Sequence, residues 1–186
     1  MREVAAHRTR FHTFVLDGVH KPHNVGAILR TLDAFGFQDV FILEKPGSRE
    51  LGSEVSKGSA QWLTLNLYSN ENPCWEALKS RGYRIAITHK EGVDFRTLDW
   101  SLPTAVVLGA ELTGVSEASL ERADCRVRIP MWGFVESLNV SVAAGILASH
   151  LREELETRHD STWKFSSQEQ TDLVEKWKNN LVIDGY

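Results

Sequence analysis

The sequence predicts an α/β protein in which helices cover a parallel sheet. Three observations lead there. After a first apolar run at residues 14–16, short β-rich runs recur at residues 40–43, 63–67, 85–88, 105–108 and 127–129. Several are separated by stretches of helical period, and such alternation builds parallel rather than antiparallel sheets. The chain has 186 residues, 42% of them apolar and 25% charged, which suits one domain with a sizeable core and an ordinary polar surface.

From the N-terminus, Arg2, His7, Arg8, Arg10 and His12 form a basic cluster with a single acid, Glu3. Residues 1–12 therefore read as a short basic arm, either a frayed, solvated end or a contact for phosphates. The first helix is the clearest, with Val25, Ile28, Leu29, Leu32 and Phe35 at helical spacing, Asn24 as its cap and Gly36 as its stop. A second helix is expected at about 74–81 and a third from Ser116. A fourth, at about 138–155, carries Ala143, Ala144, Gly145 and Ala148, small residues that let another backbone come close. A last amphipathic helix, at about 167–180, presents Leu173, Val174 and Trp177. No linker divides the chain, so residues 1–186 are expected to form a single domain.

Several function classes drop out. With 21 Lys plus Arg against 25 Asp plus Glu, the net charge of -4 does not suit a histone-like nucleic-acid binder. No window approaches a membrane span, and residues 1–12 lack the apolar core of a secretory signal, so a cytoplasmic protein beginning near Met1 is expected. Cys74 and Cys125 form no C-x-x-C, which suggests reduced, buried thiols. His20 and His23 lack a third ligand and make a poor metal site, so no metal is expected. Neither G-x-G-x-x-G nor a P-loop occurs, nor H-E-x-x-H or G-x-S-x-G.

Three segments place Gly and polar residues next to apolar strands, where an α/β sheet opens to its ligand. In residues 23–30, Gly26, Arg30 and Asp33 share the face opposite the apolar stripe, so Gly26 clears space beside the guanidinium. Asn24 stands at the helix start, which favours anions; a capping Asn with a surface Arg30–Asp33 pair explains the same spacing. In residues 108–116, Gly109 and Gly114 bracket one acid, Glu111, more than a plain turn requires. In residues 129–139, Ile129-Pro-Met-Trp-Gly133 precedes Ser137-Leu-Asn139 at the mouth of the small-residue helix. Backbone groups there suit a flat polar ligand, with Met131 and Leu138 over its apolar faces or packed into the core.

Together, Asn24-Val-Gly-Ala-Ile-Leu-Arg30, Val107-Leu-Gly-Ala-Glu111-Leu-Thr-Gly114 and Ile129-Pro-Met-Trp-Gly133 with Ser137-Leu-Asn139 resemble, in order and separation, the three motifs of the SpoU/TrmH family of RNA ribose 2'-O-methyltransferases, in the SPOUT superfamily. The resemblance covers roughly residues 14–155. It implies a SPOUT fold, a parallel sheet whose C-terminal part is tied in a deep trefoil knot. It further implies S-adenosyl-L-methionine (S-adenosylmethionine) bound in the knot, and a homodimer. Val19-His-Lys-Pro-His-Asn24, Gly58-Ser-Ala-Gln-Trp62, Val93-Asp-Phe-Arg96 and the lack of a separate N-terminal substrate domain narrow the likeness to members that methylate guanosine 18 in the tRNA D-loop.

Carried over by residue, the resemblance makes Arg30 the central catalytic residue, with Asn24 beside it and Glu111, Ser137 and Asn139 completing the polar site. Cofactor contacts fall to Thr88, Gly109, Ile129, Met131 and Leu138. Methyl transfer from a sulfonium needs the ribose hydroxyl held in line and its proton drawn away. Arg30 can grip a substrate phosphate bidentately and stabilise the developing alkoxide; a guanidinium is a poor base near neutral pH. The cofactor's positive charge disappears in the reaction, so no metal is needed to drive it. A ribosomal RNA ribose methyltransferase of the same family and a catalytically silent RNA-binding protein are the alternatives.

Overall fold

A computed structural model describes residues 1–44 and 58–183. Its strands are β1 (His12–Asp17), β2 (Asp39–Leu43), β3 (Thr64–Tyr68), β4 (Arg84–Asp94), β5 (Thr104–Gly109) and β6 (Cys125–Arg128). All pair in parallel, in the order β3-β2-β1-β5-β4-β6. The helices are α1 (Arg2–Ala6), α2 (Pro22–Ala34), α3 (Glu71–Ser80), α4 (Glu117–Arg122), α5 (Val140–Glu156) and α6 (Ser167–Ile183). None of them is long and apolar enough to cross a membrane.

Alternation along β1 explains the layers. Phe14 and Leu16 join α2 and α5 in one apolar cluster, while Val15 faces the other side with Phe41, Cys74, Trp75 and Leu78. Every residue of β1 and β2 is buried, as expected of inner parallel strands covered on both faces. On α5 the buried set Val140, Ala144, Leu147, Ala148, Leu151 and Leu155 keeps helical spacing. Gly145 faces Thr31 of α2, where an added Cβ would stand 3.8 Å from Cγ2, so small residues do sit where α2 and α5 pack.

Sequence order and sheet order part company between β1 and β5. The chain runs outward from β1 to β3, then returns to build the other half. Such a switch point opens a crevice at the C-terminal ends of its strands, here beside Asp17 and Gly109.

Three elements differ from the sequence expectation. Residues 1–12 are not a free arm: α1 packs against α6 through Ala5, with Phe165, Leu173, Val174 and Trp177. Arg8 is 2% exposed, pairs with Asp33 and lies 5.3 Å over the Trp177 ring, while Arg10 reaches Asp39 and Glu169 at 3.3 Å each. Those carboxylates lie far along the chain, so a local count of charge could not find them. The strand expected at 85–88 continues to Asp94, because pairing with β6 resumes at Val93 after a register shift although the residues between are polar. Gly92 permits this, since a Cβ there would overlap the Val127 backbone. Finally, α2 begins at Pro22 with Lys21 in the cap position, so Asn24 lies inside the first turn and is not the cap.

Both thiols are free, Cys74 buried and Cys125 half-buried. Burial, with a smaller push from the Asp17 charge, raises Cys74 to about 12, which removes it as a nucleophile.

Candidate active site

The crevice is shaped first by Asp17. Its Oδ2 accepts from the Ser116 backbone N–H and from Ser119 Oγ, both at 2.6 Å, which pins the segment after β5 to the end of β1. Residues 110–114 close into a small loop: the Ala110 N–H donates to the Gly114 carbonyl at 3.0 Å and the Gly114 N–H returns to the Ala110 carbonyl at 2.8 Å. Both glycines are required. Gly114 has φ +68°, and a Cβ on Gly109 would overlap the backbone of Gly114 and Val115.

That loop carries Glu111, whose carboxylate turns back to α2. Lys21 Nζ lies 2.6 Å from its Oε2, and Asn24 Nδ2 donates to its Oε1. Asn24 is buried, and its Oδ1 accepts from Asn139 Nδ2 at 3.2 Å. Asn139 in turn caps α5, its Oδ1 accepting from the Ser141 N–H at 2.8 Å and Oγ at 2.6 Å. The structure thus joins Asn24, Glu111 and Asn139, one from each of the three motif segments, in a single hydrogen-bonded chain. Asn24 spends its side chain on Glu111 and Asn139, and α2 starts without a side-chain cap.

Beside this chain lies a cavity of about 210 Å³. Thr88, Gly109, Ile129, Met131 and Leu138 all line it, as do Glu111 and Ser137. Leu108, Val115, Val127 and Leu147 extend its apolar wall, and His89, Lys90, Arg128 and Glu136 supply charge or polarity. Thr88 Oγ1 donates to the Val107 carbonyl at 3.0 Å, so its donor is already used.

Arg30 stands apart. It is exposed on α2, does not line the cavity and has no ion-pair partner among the described residues. The Arg30–Asp33 pair is not formed, because Asp33 binds Arg8. Beside Arg30 on the same face, an added Cβ at Gly26 would meet nothing within 4 Å.

Sequence reasoning missed Lys21 and Asp17. Lys21 drew notice only between two histidines and within residues 19–24, the stretch that narrowed the family likeness, with no role of its own. Asp17 had one available signal, a carboxylate at the C-terminal end of an all-buried strand, just before Gly18 with φ +66°.

Comparison with known proteins adds the lineage of this site. A model of the SpoU rRNA Methylase family matches residues 12–149, most of the chain and all three motif segments. The chain belongs to the SpoU methylase family. It is 42% identical over 149 residues to a Thermus thermophilus relative named tRNA (guanosine(18)-2'-O)-methyltransferase, covering 79% of this chain and 77% of that one. A crystal structure of the Aquifex aeolicus TrmH/SpoU tRNA modifying enzyme superposes with a TM-score of 0.86 at 34% identity, over 97% of this chain and 94% of that one. Another structural neighbour, an AdoMet-bound rRNA methyltransferase from Sinorhizobium meliloti, gives a TM-score of 0.69 at 27% identity, over 83% of this chain and 60% of that one.

Proposed function

We propose that the chain transfers a methyl group from S-adenosylmethionine to the ribose 2'-hydroxyl of guanosine 18 in the tRNA D-loop. One observation carries the reading: the Asn24–Glu111–Asn139 chain stands beside an apolar cavity walled by a glycine that cannot be replaced without a clash. The residues fit the cofactor. Leu108, Ile129, Met131 and Leu138 offer apolar surface for a base, and Gly109, at the cavity wall, lets the Gly114–Val115 backbone pack against it where any side chain would collide. When bound there, S-adenosylmethionine supplies an electrophilic methyl group on a positively charged sulfur.

The chain's own residues do the rest. Arg30, with no ion-pair partner among the described residues, grips a substrate phosphate and stabilises negative charge growing on the 2'-oxygen. Asn24, held by Glu111 and Asn139, orients the ribose, and Ser137 at the cavity wall adds a hydroxyl. The likeness to the Thermus thermophilus relative favours tRNA as the substrate, and the same reading puts the protein in the cytoplasm beside it.

The reading also takes the segment from β6 into α5 as a deep trefoil knot and the working form as a homodimer. Leu112, Trp132, Phe134 and Val135 are strongly exposed on the two loops that contribute Glu111 and Met131 to the cavity, and large exposed apolar side chains on neighbouring loops suit an interface. A second copy would cover them. Sedimentation should therefore give twice the chain mass; a fully active monomer contradicts this.

The activity is tested by incubating total RNA with methyl-labelled cofactor and mapping the modified ribose. The Sinorhizobium meliloti neighbour favours a second reading, a ribosomal RNA target, and label confined to ribosomal RNA would select it.

A further inference from the structure

We propose that Lys21 is a positioning residue that fixes the direction of the amide chain from Glu111 through Asn24 to Asn139, and so decides which face of Asn24 meets the ribose. The function of that chain rests on the methyltransferase reading above.

The argument starts at the two ends. A carboxylate accepts hydrogen bonds and does not donate them, so Asn24 must turn its NH2 group to Glu111. At the other end, Asn139 Oδ1 is committed twice, to the Ser141 N–H and Oγ, so Asn139 has only its NH2 to offer Asn24. Both ends impose one orientation. A flipped Asn24 would set oxygen against the carboxylate and NH2 against NH2, and a buried amide could not escape to water.

That orientation depends on Glu111 staying in place. Its carboxylate is only 19% exposed, on the tip of a small glycine loop, and an anion that far withdrawn from water needs a cation. Lys21 supplies it at 2.6 Å. The ammonium takes Oε2 and leaves Oε1 to Asn24. Lys21 is also anchored immediately before Pro22 at the rigid start of α2, and its side chain makes no capping bond, so removing it leaves the helix start intact. The ion pair therefore ties the loop that lines the cavity to the helix that carries Asn24 and Arg30.

The test combines kinetics with a direct view of the amide. Lys21→Ala should lower kcat about tenfold or more, the scale seen when a group that orients a functional side chain is lost, with tRNA KM changed little. Lys21→Arg should recover most of the rate. In a Glu111→Gln background, which is itself impaired, Lys21→Ala should add almost no further loss, because the two act as one unit. The Asn24 side-chain NH2 resonances should move toward those of solvated amides in Lys21→Ala and stay in place in Lys21→Arg. A KM rise of equal size in both backgrounds, with kcat and the amide signals unchanged, would show that Lys21 touches RNA phosphate and would overturn the proposal. If the wild-type protein methylates no tRNA, the functional reading fails, and the amide resonances still decide the role of Lys21.

Discussion

Acid should destabilise this fold through one buried ring. His12 is fully buried in β1, with Phe11 edge-on at 4.9 Å and Trp100 at 6.1 Å, and its ring nitrogens have no hydrogen-bond partner of normal geometry. Burial above all, then the positive charges of Arg158 and Arg84, lower it from the ordinary 6.5 to about 3, with the Thr104 backbone pulling the other way. The folded state thus refuses a proton that the unfolded chain accepts. Stability is full above pH 6.5 and falls as pH drops below it, until about pH 3. Each unit costs about 1.4 kcal/mol, so at pH 5 the loss through this one group is about 2 kcal/mol. Urea unfolding at pH 7.5 and pH 5 measures it, with His12→Phe as the control. The phenyl ring fills similar space and takes no proton, and whatever it costs in packing enters at both pH values and cancels. The wild type should lose about 2 kcal/mol more than the variant between the two conditions. Equal losses would refute the reasoning.

Arg30→Ala should lower kcat by about 100-fold or more, as expected for an electrostatic contact made in the transition state, while calorimetry shows cofactor Kd within a few-fold because Arg30 lies off the cavity. Arg30→Lys should remain poor, since an ammonium cannot make a planar two-pronged grip; near-normal turnover in either variant would place catalysis elsewhere. Gly109→Ala should weaken cofactor binding by about 1–3 kcal/mol, the cost of forcing a methyl group into packed backbone. Unchanged calorimetric Kd for Gly109→Ala would mean that the loop shifts freely.

The alternation of strands with helices was legible because buried strands and amphipathic helices have different periods, and β1, β2, β5, α2 and α5 declare theirs strongly. The outer half of β4 was not, because backbone pairing carries it there while His89, Lys90 and Glu91 give no apolar pattern. The N-terminal segment misled for a related reason. Arg8 and His12 look like surface residues by type, yet one is neutralised by Asp33 and the other is buried uncharged, both through partners distant in sequence. At the site, the glycines and the single acid of residues 109–114 marked a shaped loop in advance. What joined the motifs did not show: Asn24 reads as a helix cap until Lys21 and Pro22 are seen to take the start of α2, and Lys21 has no significance until Glu111 folds back to it.

The central claim is chemical, that the 2'-oxygen of guanosine 18 in tRNA receives the methyl group. It is tested most directly with two transcripts of one unmodified tRNA, identical except that the second carries a single 2'-deoxyguanosine at position 18, each given labelled S-adenosylmethionine. The hydroxyl is the acceptor and recognition is mostly of RNA shape. The first tRNA should therefore gain one methyl group per molecule, and the second should gain none while still competing for binding with nearly the same affinity. Undiminished labelling of the deoxy tRNA would contradict the account.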